Sequence, residues 1–277
     1  MTAVEKITPA DWMGAADTRA LFDAINAGGG SVRFVGGCVR DAILGRPVSD
    51  IDLATDVEPA RVIDLLGARK IRAVPTGLDH GTITAIPEHR PFEITTLRQD
   101  VETDGRRAAV QFTHDWSVDA GRRDFTMNAL SADPDGTVYD YVGGLPDLRA
   151  GRVRFIGDAA ERIAEDYLRI LRFFRFHANY ASTVPDGEAL QACRDAATHV
   201  EKLSGERVWQ EMARILVVVE PMQVFALMEE ARILKILLPV GRSTSRLQAM
   251  AALEGMLTVA PEPVRRLTAP VSYTHLT

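Results

Sequence analysis

Two cysteines, Cys38 and Cys193, are all the thiols in 277 residues. That is too few for a disulfide framework and suits a reducing, cytoplasmic compartment. No apolar run approaches the ~18 residues that span a bilayer, so no membrane partner is expected. The start, Met1-Thr2-Ala3-Val4-Glu5-Lys6, lacks the basic-then-apolar order of a secretion signal. There is no G-x-G-x-x-G and no G-x-x-x-x-G-K-[ST], which removes the dinucleotide-binding and P-loop readings. Internal repeats and low-complexity tracts are absent too. A net charge of -6 excludes a protein coated in basic surface. The charge is nevertheless uneven. Seven arginines lie between Arg149 and Arg175 against four acids, Asp158, Glu161, Glu165 and Asp166. Such a stretch fits a local phosphate-binding cleft, or else a helix salt-bridged along one face.

What is present is ordinary in bulk, 46% hydrophobic and 25% charged, with a length that suggests about two domains. Residues 17–27 have helical spacing and close at Gly28-Gly29-Gly30, ahead of the short apolar strand Val32-Arg33-Phe34-Val35. A helix over 58–66 follows Asp56 as its cap, with Pro59 in the first turn. Strands are predicted at 71–74, 82–86 and 92–97, and a strand and turn at 138–144. Residues 99–120 are polar with weak periodicity and predict a mobile loop. From about residue 156 helical patterning dominates, over 158–181, 187–200, 205–218 and 221–237. The expected division is 1–155, 156–268 and an unstructured tail over 269–277. That tail continues no helical pattern and suggests a truncated product.

The informative stretch is Gly36-Gly37-Cys38-Val39-Arg40-Asp41, followed by Asp50-Ile51-Asp52. Glycines after a strand let backbone amides approach an anion, since no Cβ blocks the way. Val39 to Leu44 has helical spacing and stops at Gly45. Asp50 and Asp52 alternate with Ile51 and Leu53, so in a strand both carboxylates share one face. Two carboxylates side by side repel unless a cation sits between them, which points to a hard metal. Taken singly, the Asp-x-Asp could be a solvated strand end and the Gly-Gly an ordinary turn. In combination they describe phosphoryl transfer.

These residues resemble the signature of the class II nucleotidyltransferases, which include CCA-adding tRNA nucleotidyltransferases and bacterial poly(A) polymerases of the polymerase-β-like superfamily. Three later blocks are similar to that family as well: Arg122-Arg123-Asp124-Phe125-Thr126-Met127-Asn128-Ala129, Glu165-Asp166-Tyr167-Leu168-Arg169, and Ser204-Gly205-Glu206-Arg207. The resemblance implies an α+β fold, a nucleotidyltransferase head followed by an all-helical neck and partial body. It implies template-independent addition of C and A to the tRNA 3′ end, from CTP and ATP, with release of pyrophosphate. Poly(A), A-only or C-only addition remains open, as does an inactive tRNA-binding module. Expected partners are the 3′ end and acceptor stem of tRNA.

Asp50 and Asp52 are the expected ligands of two Mg2+ ions, because carboxylate and phosphate oxygens in octahedral geometry suit magnesium. Glu93, on a neighbouring strand, is the candidate third ligand, with an edge-strand surface glutamate as the alternative. The resemblance assigns nucleotide contacts to Gly37, Arg40 and Arg123, leaving Arg122 as a solvated neighbour. Asp166 and Arg169, three apart on one helix, would share a face. A carboxylate accepts from the exocyclic amine of cytosine or adenine and a guanidinium donates to the ring, so the pair favours C and A over U and G. Arg172 approaches the nucleotide in this reading, and Arg175 faces the head, a tRNA phosphate or a salt-bridge partner.

Overall fold

The computed structural model describes residues 3–88, 90–103, 108–238 and 244–268. The tail expected over 269–277 lies outside the described residues. The chain divides into two compact units, Met1–Arg149 and Ala150–Thr277.

The first unit is built on an eight-stranded mixed sheet. Its strands are β1 (Glu5–Lys6), β2 (Val32–Val35), β3 (Asp52–Thr55), β4 (Arg72–Gly77), β5 (Thr82–Ile86), β6 (Phe92–Thr96), β9 (Ser131–Ala132) and β10 (Thr137–Tyr139); β7 (Arg98–Thr103) and β8 (Ala108–Phe112) pair separately as a hairpin. The order is β1-β10-β9-β2-β3-β6-β5-β4. Every neighbouring pair is antiparallel except β3 and β6. That exception sets Asp52 directly beside Glu93. Helix α1 (Ala16–Ala27) buries Leu21, Phe22, Ala24 and Ile25, one face at helical spacing. Phe34 of β2 is fully buried, with Trp12 edge-on at 4.8 Å and Phe22 at 4.9 Å. Helices α2 (Gly37–Ile43), α3 (Pro59–Ala68), α4 (Trp116–Gly121) and α5 (Gly144–Arg149) complete the unit.

Three local expectations are corrected here. Residues 99–120 are no loop, for they supply most of the β7–β8 hairpin and α4. The first strand of the hairpin, Arg98-Gln99-Asp100-Val101-Glu102-Thr103, is almost wholly polar, so no apolar period marks it. Asp56 does not cap α3; its carboxylate accepts the Ser31 N–H at 2.7 Å and ties the end of β3 to the start of β2. Asp50 lies outside β3, which begins at Asp52.

The second unit is helical: α6 (Ala159–Glu165), α7 (Leu168–Tyr180), α8 (Gly187–Asp195), α9 (Gly205–Leu216), α10 (Pro221–Glu230), α11 (Ile233–Leu237), α12 (Thr244–Met256) and α13 (Pro263–Thr268). Its centre is α7, which buries Ile170, Leu171, Phe173, Phe174 and Phe176 and packs on α9 and α10. Glu254 of α12 accepts from Arg266 Nε at 2.6 Å and Arg265 Nε at 2.7 Å. Arg266 also donates to the carbonyls of Leu216 and Val218, closing the C-terminus of α9.

The single helix expected over 158–181 is two helices. Asp166 is extended, at φ -154° and ψ 106°, and its carboxylate accepts the Leu168 N–H at 3.1 Å. Aspartate competes with the helical ladder by such local bonds, which a periodicity argument does not register. The helix expected over 221–237 likewise breaks at Arg232, where φ is +63°. Among the described residues no helix is long and apolar enough to cross a membrane.

Candidate active site

The site in the first unit begins at the turn leaving β2. Gly36 sits at φ +72° and ψ -125°, a conformation that glycine alone adopts without strain. Its N–H donates to the Leu130 carbonyl at 3.0 Å. A Cβ at Gly36 would lie 3.1 Å from Arg123 Nη1, so the missing side chain lets that guanidinium lie against the turn. Gly37 opens α2. Beneath it, the Cys38 thiol donates to the Val35 carbonyl at 3.3 Å and lies 3.7 Å from the Asp52 carbonyl. Burial pushes this thiol up to about 12, so it is a packing group and not a nucleophile.

The carboxylates meet at the head of β3. Parallel pairing sets Asp52 and Glu93 opposite each other, and adjacent strands in register present such pairs on one face. Burial first, then the neighbouring charges of Glu93 and Asp50, raise the Asp52 carboxyl above the ordinary carboxylate range, while Arg123 acts the other way. Asp50 is exposed and accepts from Ser49 Oγ at 2.9 Å. Among the described residues no three acidic, histidine or cysteine side chains close on one metal-binding point. The donor chemistry nonetheless fits a hard divalent cation, since all three side chains are carboxylates and their mutual repulsion is what a cation would relieve.

Arginines line the other side. Arg123 Nη2 donates to Asp119 at 3.1 Å and Nη1 to the Asn128 carbonyl at 3.3 Å. Arg122 is no solvated neighbour, because its Nε donates to Asp119 at 2.9 Å. Arg40 is buried, paired with Asp41 through Nε and Nη2 at 3.0 and 2.8 Å, while Nη1 donates to Asn128 Oδ1 at 2.7 Å. Asn128 in turn donates to Asp124 at 3.1 Å. Arg40 is thus tied to the turn through Asp41 and Asn128. Sequence reasoning gave no part to Asp119 and Asn128. The signal for Asp119 was its place four residues before Arg123, one helical turn away.

In the second unit Asp166 and Arg169 do not share the face of one continuous helix, because Asp166 is extended; the Arg169 N–H donates to the Asp166 carbonyl at 3.0 Å, while their side chains take other partners. Arg169 Nη1 donates to the Arg162 carbonyl at 2.6 Å and also bonds Glu165. Asp166 accepts instead from Arg207 Nη2 of α9, at 2.6 Å. Arg172 is half-buried, 5.6 Å from the Phe176 ring centroid. Arg175 Nε donates to the buried Glu211 at 2.6 Å, which realises the salt-bridge alternative.

The family described as Poly A polymerase head domain matches residues 32–154. A second, described as a probable RNA and SrmB-binding site of polymerase A, matches residues 185–243. The chain is 46% identical over 189 residues to CCA tRNA nucleotidyltransferase 1, mitochondrial, of Danio rerio, covering 67% of this chain and 44% of that protein. It is 40% identical over 201 residues to the CCA-adding enzyme of Streptococcus sanguinis, covering 71% and 48%.

This chain belongs to the CCA-adding and poly(A) polymerase family of nucleotidyltransferases.

The fold agrees with membership. The Bacillus stearothermophilus CCA-adding enzyme, solved in complex with CTP, superposes with a TM-score of 0.70 at 30% identity, over 79% of this chain and 53% of that one. The chain spans about half the length of the curated relatives it matches. The glycine turn, all three carboxylates and Arg123 fall inside the matched head domain, and Arg207 inside the second matched stretch.

Proposed function

We propose that this member of the family adds C and A to the 3′ end of tRNA, without a template, from CTP and ATP. The observation that carries the proposal is Asp52 crowded by Glu93 and Asp50 on one side of a glycine turn, with Arg123 against that turn. Carboxylates for a cation beside a guanidinium for a polyphosphate are what attack of a 3′-hydroxyl on an α-phosphorus needs. The P–O bond to pyrophosphate breaks as the new 3′-ester forms. Asp50, Asp52 and Glu93 would hold Mg2+, which when bound neutralises the polyphosphate and acidifies the attacking hydroxyl. Gly36 and Gly37 leave the backbone open to the phosphates, and Arg40 keeps that turn in shape through Asp41 and Asn128.

Asp166 supplies the acceptor for the exocyclic amine of cytosine or adenine, as the C and A preference requires. Its partner in this protein is Arg207, with Arg169 held back by Glu165. Relatives whose names specify CCA addition, and a relative solved with CTP, support these substrates. The buried free thiols of Cys38 and Cys193 support a reducing, cytoplasmic location.

The deciding experiment incubates the protein with magnesium, CTP, ATP and a tRNA transcript lacking its last three nucleotides. Extension by C, C and A is expected, with none from Asp52→Asn. A long A tail would favour the poly(A) reading, and no extension under any condition the inactive tRNA-binding module.

A further inference from the structure

The break before α7 is held by two other elements of the second unit. One is α9, whose Arg207 Nη2 donates to the Asp166 carboxylate at 2.6 Å. The other is the short 3₁₀ helix Ala197–Lys202, through His199. Tyr167, the residue after Asp166, makes no side-chain capping bond to α7 and lays its ring on that of His199. The centroids are 4.2 Å apart and the planes are inclined at 17°. The 3₁₀ helix is itself fixed, since it buries Ala197 and Val200 and packs on α7, α8 and α11. His199 Nδ1 is buried and has no hydrogen-bond partner among the described residues. A buried nitrogen without a bond costs stability, so the ring is kept there by its stacking and packing and not by that atom.

We infer that His199 is a positioning residue for base selection: its stack on Tyr167 keeps Asp166 extended and its carboxylate in place. The inference rests on the reading that Asp166 accepts from the exocyclic amine of cytosine or adenine. Residues on both sides of Asp166 have helical spacing, so an unbroken helix is the arrangement with which the break competes. Asp166 holds the break locally, its carboxylate accepting the Leu168 N–H at 3.1 Å and its carbonyl the Arg169 N–H at 3.0 Å. Those bonds depend on the backbone torsions between Asp166 and Leu168, and an anchored Tyr167 ring restrains them from the middle. The stack therefore acts on the carboxylate through one residue of backbone, while Arg207 acts on it directly.

The test uses the full chain and compares His199→Leu, which removes the ring, with His199→Phe, which keeps it. Hydrogen exchange of the Leu168 and Arg169 amides reads the break without any substrate. Both amides should exchange about three- to tenfold faster in His199→Leu, the worth of one aromatic pair, and at the wild-type rate in His199→Phe. Incorporation from mixed nucleotides into tRNA lacking its last three residues should show the preference for C and A over U and G falling by the same factor in His199→Leu. His199→Phe should restore it. Tyr167→Leu removes the stack from the half-buried partner and keeps the test open if His199→Leu does not fold. Where both fold, the double variant should lose no more selectivity than either single one. Unchanged exchange in a folded variant lacking the stack overturns the inference, and so does faster exchange with wild-type selectivity. Failure of His199→Phe to restore either readout overturns it too, because the imidazole and not the stack would then be needed. If exchange responds as expected while the wild type shows no preference for C and A, the stack does hold the break and the base-reading role of Asp166 fails.

Discussion

Arg207 Nη2 donates to Asp166 Oδ2 at 2.6 Å, while the other oxygen of Asp166 accepts the Leu168 N–H at 3.1 Å. Both oxygens are therefore fixed in direction before any base arrives, and each retains a lone pair for an exocyclic amine. Arg207→Ala should leave the carboxylate free to rotate and reduce the preference for C and A over U and G by about tenfold, the worth of one charged hydrogen bond. Incorporation from mixed nucleotides measures this, and unchanged selectivity would remove Arg207 from base reading.

Arg175 should behave in the opposite way. Its guanidinium is paired with Glu211, whose side chain is 5% exposed, so truncation leaves that buried charge with only the solvent-exposed Arg214 at 3.9 Å. Arg175→Ala is expected to cost roughly 3–5 kcal/mol of stability. Below its melting temperature the variant should keep wild-type nucleotide selectivity. Urea unfolding combined with the mixed-nucleotide assay separates the two effects; altered selectivity without a stability loss would restore Arg175 to the nucleotide site.

Asp52 is held against its own ionisation by burial and by Glu93 and Asp50. A carboxyl whose folded pKa is raised contributes stability that is present below the unfolded value and lost as pH rises through the folded one. At neutral pH without divalent cations, Asp52→Asn should therefore melt about 2 °C or more above the wild type. Added magnesium should raise the melting temperature of the wild type and not of the variant. A variant that melts lower without metal would contradict the crowding.

For Asp119 the sign reverses. Burial alone would raise its pKa, but Arg123 and Arg122 outweigh burial and hold the carboxyl below the ordinary range. Its stabilisation is present above the unfolded value, about 4, and is lost as pH falls through the lower folded value. Asp119→Asn should be less stable than the wild type at pH 7, and the gap should narrow as pH falls below about 4. Parallel acid-unfolding curves for the two proteins would show that Asp119 does not carry this charge interaction.

Much of the first unit was legible in the chain. Val32-Arg33-Phe34-Val35 reads as a buried strand because its apolar residues stand together between glycines, and β2 occupies those four residues. The period of α1 is equally visible. The β7–β8 hairpin was hidden, since Arg98-Gln99-Asp100-Val101-Glu102-Thr103 is almost wholly polar and carries no apolar alternation. The break at Asp166 was hidden for a different reason, namely that one side-chain hydrogen bond outweighs thirteen residues of apolar period in α7. Family blocks marked Asp52 and Arg123 as residues to watch, but a motif names residues and does not name their partners.

The sequence by itself determined the local elements, the glycine turn, the carboxylates and the family, because these depend on neighbours within a few residues and on side-chain chemistry. Only the tertiary structure decided which charges meet. Parallel pairing of β3 with β6 put Glu93 beside Asp52, and the packing of α7 on α9 gave Arg175 to Glu211. Those pairings join residues up to 41 positions apart, and Coulomb energy depends on distance in space, which no spacing along the chain encodes.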